Sequence, residues 1–130
     1  MFILHHARLS FPENAVMQTI VGLPDRSFTY DPDQDLRVDT VNTDHPISRG
    51  LSSWTLHDET YKIADARPED GNEVLFTTDF EKSMHTLGWT RSFNKGRVFC
   101  FQPGHDNLVW VVPEFREVIA RAIQWLARKI

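Results

Sequence analysis

The sequence predicts an α/β domain, and three observations carry that prediction. A short apolar run at residues 2–5 is followed by helically spaced apolar residues. Several short strands with turn residues between them fill the middle of the chain. The chain then closes on an amphipathic helix. With 130 residues there is room for one domain over residues 1–130. Aromatic residues make up 12% of the chain, too many for a disordered segment.

Each element follows from its residues. Phe2-Ile3-Leu4-His5 reads as a short buried strand that begins without a lead-in. Ser10 and Pro12 are suited to opening a helix, whose apolar residues Val16, Met17, Ile20 and Val21 run to a stop at Gly22. Residues 23–34 are rich in Pro and Asp and read as a loop. Leu36, Val38 and Thr40 alternate with Arg37 and Asp39, which is the pattern of a half-exposed strand. Residues 44–51 form a turn-rich connector, residues 54–58 a short extended stretch and residues 67–72 a polar loop. Strands are expected over 73–78, 86–93 and 97–102, the last two joined by Asn94-Lys95-Gly96, where Gly96 would accept a positive φ. From Pro113 onward Phe115, Val118, Ile119, Ala122, Ile123 and Leu126 share one helical face, although Val112 offers no capping oxygen.

Composition narrows the function. Lys and Arg total 14 against 18 Asp and Glu, a net charge of −4 without any basic block, so no nucleic-acid partner is expected. No apolar run approaches the ~20 residues that cross a bilayer, so no membrane partner is expected either. The opening Met1-Phe2-Ile3-Leu4 is too short for a signal-peptide core and lacks a basic leader. The single cysteine, Cys100, leaves no partner for a disulfide and no thiolate cluster. A cytoplasmic domain is the expectation.

Cys100 lies in the apolar run Val98-Phe99-Cys100-Phe101, a setting for packing rather than for a reactive thiolate. No serine occupies a Gly-x-Ser-x-Gly elbow, and the six glycines form neither a dinucleotide fingerprint nor a phosphate loop. The histidines carry the remaining chemistry. His5-His6 ends the first strand, Gly104-His105-Asp106 follows another, and Asp58-Glu59 follows an extended stretch. In open α/β sheets the C-terminal strand ends face the ligand crevice. Two imidazoles and a carboxylate converging there suit zinc or another divalent ion, or proton exchange with a sugar or polyol. Such groups also cap turns and make core hydrogen bonds. His45, His57 and His85 read as structural. Trp89 is suited either to a stacking platform or to the core, Trp125 to packing, and Trp110 to a loop at a pocket mouth.

Taken together, several segments resemble the trehalose-utilisation ThuA-like family. They are His5-His6-Ala7 with Ser10-Phe11, then His45-Pro46-Ile47-Ser48-Arg49-Gly50-Leu51, then Asp58-Glu59-Thr60-Tyr61. Gly88-Trp89-Thr90-Arg91, Asn94-Lys95-Gly96-Arg97-Val98-Phe99, Gly104-His105-Asp106, and the closing Pro113-Glu114-Phe115 with Ile123-Gln124-Trp125 follow in the same order. The resemblance implies a flavodoxin-like, class I glutamine amidotransferase-like sheet with flanking helices. The family's chain normally begins with further β/α units, so the resemblance also implies a fold truncated at its N-terminus, and a short segment after Gly22.

The implied function is carbohydrate metabolism, with a disaccharide or keto-sugar as substrate class. Carried over by position, the catalytic set is His5, Glu59 and His105, and the substrate-binding set is His6, Tyr61, Trp89 and Arg97. A divalent metal, zinc or manganese, would be held by His5, Asp58 and His105. The alternative is a sugar-binding or assembly module without turnover. A sheet short of its first half is further expected to self-associate or to recruit a companion chain.

Overall fold

Six strands form one curled sheet in the computed structural model, which describes residues 1–130. They are β1 (Phe2–Leu4), β2 (Thr29–Thr40), β3 (Trp54–Lys62), β4 (Glu73–Thr77), β5 (Thr86–Phe93) and β6 (Gly96–Phe101), in the order β1-β6-β5-β4-β2-β3. Only β1 and β6 run parallel; the other pairs are antiparallel. Three helices flank the sheet: α1 (Ala15–Val21), the single turn α2 (Asn107–Trp110) and α3 (Pro113–Leu126). This is the α/β class that the sequence predicts.

Both faces of the central strands are covered. Alternation on β6 sends Phe99 and Phe101 into one core with Phe115, Val118 and Ala122 of α3, and Val98 and Cys100 into a second with Ile20 and Val21 of α1. That two-sided burial explains the unbroken apolar run of β6. On α3 the expected face holds for Phe115, Val118 and Ala122, while Ile123 stays exposed. As the sequence implies, Val112 gives α3 no side-chain cap.

Long-range pairing changes several local expectations. Residues 23–34 are a loop only as far as Phe28, because β2 begins at Thr29 and pairs with β3 from there. The Pro and Asp residues read as loop chemistry instead form a bulge. Asp31 faces Thr60 and Gln34 faces Asp58, so Pro32 and Asp33 together oppose Glu59. A bulge accommodates a residue without an N–H, and the ladder resumes beyond it. The stretch expected to stop at residue 58 continues to Lys62, which puts Asp58 and Glu59 inside a strand rather than after one. The first strand ends at Leu4, and His5 opens a 3₁₀ turn with φ +48°. The first helix begins later than expected, capped by the Asn14 side chain on the Met17 N–H. In the β5–β6 hairpin Phe93 pairs with Gly96, so the turn is Asn94-Lys95 and the positive φ falls on Asn94 at +52° rather than on Gly96. Trp110 lies in α2 instead of a loop.

Candidate functional site

A flat sheet with this strand order would keep β1 and β3 apart at its two edges, yet the curl brings them together. The long β2 makes this possible: its first part pairs with β3, whereas Asp39 and Thr40 pair with β4. His5, just past β1, thereby reaches Glu59 of β3, and His105 arrives from the turn that follows β6. The three, with His6, Phe28, Tyr30 and Tyr61, line a cavity of about 420 Å³.

The centre of the site is a convergence on one oxygen. Glu59 Oε1 lies 3.3 Å from His5 Nε2 and 3.6 Å from His105 Nδ1. One potential ligand atom from each of the three residues falls within 4.8 Å of the others. His5 Nδ1 is 2.9 Å from the Gln102 carbonyl. A carbonyl only accepts, so Nδ1 carries the hydrogen and Nε2 of the neutral ring is a bare acceptor. That buried Nε2 has no hydrogen-bond partner. Burial also lowers the His5 pKa below the ordinary imidazole value, against the opposing pull of the Gln102 carbonyl and the carboxylates. A lone pair therefore faces a carboxylate across 3.3 Å, an arrangement that a cation between them relieves.

Asp58 has a different task. Strand alternation turns it away from Glu59, and its carboxylate accepts the Gly104 N–H at 2.7 Å and the His105 N–H at 3.0 Å. Burial lifts its carboxyl above the usual range despite these donors. Asp58 thus holds the turn that presents His105, and Glu59 stands where the sequence reading put Asp58 among the metal ligands. Gly104 has φ +138°, which a side chain would strain, and a Cβ there would sit a tight 3.3 Å from Leu4 Cγ.

The His5–His6 turn is braced from behind. Arg8 is fully buried, donates to the His5 carbonyl at 2.9 Å and places its guanidinium 4.7 Å from the centre of the Tyr61 ring. Burial lowers the Arg8 pKa to about 10. Arg26 donates to the carbonyls of Arg8, Ser10, Phe11 and Pro12, fixing the exit of the turn. The Tyr61 hydroxyl lies 3.0 Å from His6 Nδ1, and burial raises its pKa.

Five residues of the expected site therefore meet in the cavity: His5, His6, Glu59, Tyr61 and His105. Two do not. Trp89 is fully buried and donates its indole N–H to the Val21 carbonyl at 2.9 Å, so core packing claims it. Arg97 lies at the opposite end of β6, where its guanidinium stacks on Trp125 at 4.7 Å and donates to the Trp125 carbonyl at 2.6 Å. Cys100 is sealed in the core, and burial raises its thiol to about 12. The sequence reading missed Phe28 and Tyr30. Their two-residue spacing was the available signal, masked by the Pro and Asp residues that follow.

The fold and site define an α/β domain with a His–His–carboxylate constellation where the two sheet edges meet. The chain belongs to the ThuA family, described as trehalose utilisation, whose family model matches residues 1–126. It is similar to the solved structure of a ThuA-like protein from Parabacteroides merdae ATCC 43184, with 18% identity and a TM-score of 0.80, over 97% of this chain and 59% of that one. A ThuA-like protein from Bacteroides uniformis ATCC 8492 aligns with 17% identity and a TM-score of 0.75, over 96% and 57% of the two chains. A cytoplasmic protein from Salmonella typhimurium aligns with 15% identity and a TM-score of 0.69, over 96% and 54%. The chain thus spans somewhat more than half the length of these structures. A comparison with curated proteins finds no match. No helix is long and apolar enough to cross a membrane.

Proposed function

We propose that this domain acts on a sugar in carbohydrate metabolism, a disaccharide or keto-sugar, through a divalent cation held by His5, Glu59 and His105. The observation that carries this reading is the bare, buried Nε2 of His5 facing the Glu59 carboxylate. The donor set agrees: ligand atoms of a tetrahedral centre with bonds of 2.0–2.1 Å stand about 3.3 Å apart, close to the 3.3 and 3.6 Å separations around Glu59 Oε1. Two imidazoles and a carboxylate suit zinc and accept manganese. When bound, such an ion polarises a carbonyl or lowers the pKa of a hydroxyl or water. The chain's own groups have separate tasks. The Gln102 carbonyl fixes the His5 tautomer, Asp58 presents His105, and His6 with the Tyr61 hydroxyl offers hydrogen bonds to a sugar oxygen. Metal analysis of untagged protein, purified without chelator or nickel resin, tests the reading. About one zinc or manganese per chain is expected; protein that stays metal-free after reconstitution overturns it.

A sugar-binding or assembly role without turnover is the second reading, favoured by the free edge of β1, whose only strand neighbour is β6. We propose that this edge takes a strand from a second copy or a companion chain. A monomer in light scattering at tens of micromolar would count against a second copy. A cytoplasmic setting accords with the label of the Salmonella neighbour and with the buried, unpaired Cys100.

A further inference from the structure

We infer that Phe28 and Tyr30 form a stacking subsite that docks an unphosphorylated sugar ring at the mouth of the His5–Glu59–His105 cavity. The inference rests on the sugar reading above and names the residues that would select the substrate. Neither ring belongs to either core cluster, and 42% of Phe28 and 59% of Tyr30 is exposed. Core packing therefore does not account for two large aromatics beside one charged constellation.

Their placement is set by the β2–β3 ladder. Tyr30 pairs directly with Tyr61, two residues beyond Glu59, and directly opposed residues on an antiparallel pair share a face. The ring centres of Phe28 and Tyr61 are 5.5 Å apart, those of Tyr30 and Tyr61 6.3 Å, and those of Phe28 and His6 6.2 Å. The cavity lining thus sets aromatic rings directly beside the carboxylate and imidazoles, with the ring centres of Tyr61 and His5 5.2 Å apart. A pyranose ring has matching asymmetry, with C–H groups on its faces and hydroxyls around its rim. Polarised C–H groups favour the electron-rich face of an aromatic ring, while the hydroxyls seek the polar groups that fix orientation.

The charge of the lining disfavours a phosphoryl group. No Lys or Arg lines the cavity. The nearest buried cation, Arg8, sits behind the Tyr61 ring and is engaged with the His5 carbonyl. Apart from an ion at the three-residue centre, a phosphate would find no cationic fork to pair with and would meet the Glu59 carboxylate.

The test titrates zinc-loaded protein with glucose, trehalose, glucose 6-phosphate and adenosine, read by saturation-transfer NMR and calorimetry. Glucose or trehalose should bind with the strongest saturation on ring C–H protons, and glucose 6-phosphate at least tenfold more weakly. Phe28→Ala and Tyr30→Ala should each weaken sugar binding about threefold to tenfold, while Phe28→Trp retains it. Metal content should not change, and the melting temperature should fall only slightly, because neither side chain belongs to a core cluster. Sugar binding that survives both alanine variants overturns the subsite alone and leaves the sugar reading standing. Equal or tighter binding of glucose 6-phosphate, or binding of adenosine in place of sugar, also overturns it. Wild-type protein that binds neither sugar overturns the sugar reading together with the subsite.

Discussion

Two histidine–carboxylate groups involve the β2–β3 ribbon, and they differ in nearly every physical respect. At the cavity, His5 and Glu59 each leave 10% of the side chain exposed. At the bulge, His57 lies 2.8 Å from Asp35 and 3.8 Å from Asp33, with 35% of the imidazole and 91% and 81% of the aspartate side chains exposed. The same residue types give opposite electrostatics. Burial is the largest influence on His5 and lowers its pKa, whereas the hydrogen bond that His57 donates to Asp35 is the largest on His57 and raises it. The exposed group needs no ligand, because a proton on His57 satisfies its neighbours and water screens the rest. The buried group has its proton fixed on the wrong side of the ring, at the Gln102 carbonyl. What separates the two groups is a buried lone pair without a hydrogen-bond partner, on His5 Nε2, rather than residue identity.

The largest expected effect breaks this comparison at the ligands. Zinc titration followed by calorimetry should give near one site in the wild type. His5→Ala, Glu59→Gln and His105→Ala should each weaken binding at least 100-fold, and His57→Ala should leave it unchanged. Because metal bound only by the folded state stabilises it, a free concentration 100 times Kd should raise the unfolding free energy by about 2.7 kcal/mol. Zinc binding lost in His57→Ala and kept in His5→Ala would reverse the assignment.

A smaller effect is expected one residue away. Asp58→Asn keeps the volume but removes the charge that two backbone N–H groups share, and its amide can accept from only one of them. The expected cost is about 1.5–3 kcal/mol of stability together with a metal affinity about 10- to 100-fold weaker, as for other groups that orient a ligand. Gly104→Ala should act through the same turn, since its φ and the 3.3 Å approach to Leu4 both oppose a side chain. About 1–3 kcal/mol is expected for that strain. Urea denaturation with and without zinc separates the two effects. An Asp58→Asn protein with wild-type zinc affinity would mean that His105 does not depend on its turn.

Much of this was legible in the sequence, and what was not has a common cause. The strands at β4, β5 and β6 and the face of α3 follow from local apolar periodicity. His5, Glu59 and His105 were identifiable because each falls in a short polar break beside an apolar run. The length of β2 was not legible, because Pro32 and Asp33 carry loop chemistry and only pairing with β3 turns them into a bulge. That Glu59 rather than Asp58 lines the cavity had the same origin: once β3 runs on to Lys62, strand alternation separates the two carboxylates. Arg97 and Trp89 were placed at the site by family position, whereas their neighbours Trp125 and Val21 come from distant parts of the chain. In each case the deciding partner was remote in sequence.

The smallest expected effect sharpens the comparison through pH. His45 resembles His5 in being buried, and its Nδ1 accepts the Ile47 N–H at 3.2 Å, so protonation would break that bond. Burial lowers its pKa in the folded protein. The unfolded chain, near the ordinary value of about 6.5, then binds the proton first, and stability falls as pH drops below that value toward the folded pKa. For His57 the sign reverses: its raised pKa means a stabilising contribution present below about pH 6.5 and lost as pH rises through the folded value. His45→Gln should therefore flatten part of the acid-side loss of stability, the remainder belonging to His5. His57→Gln should lower stability at pH 5.5 and leave it unchanged at pH 8.5. Unfolding free energies from urea titration at pH 5.5, 7 and 8.5 read both slopes. Parallel slopes for the two variants would mean that burial does not separate these histidines.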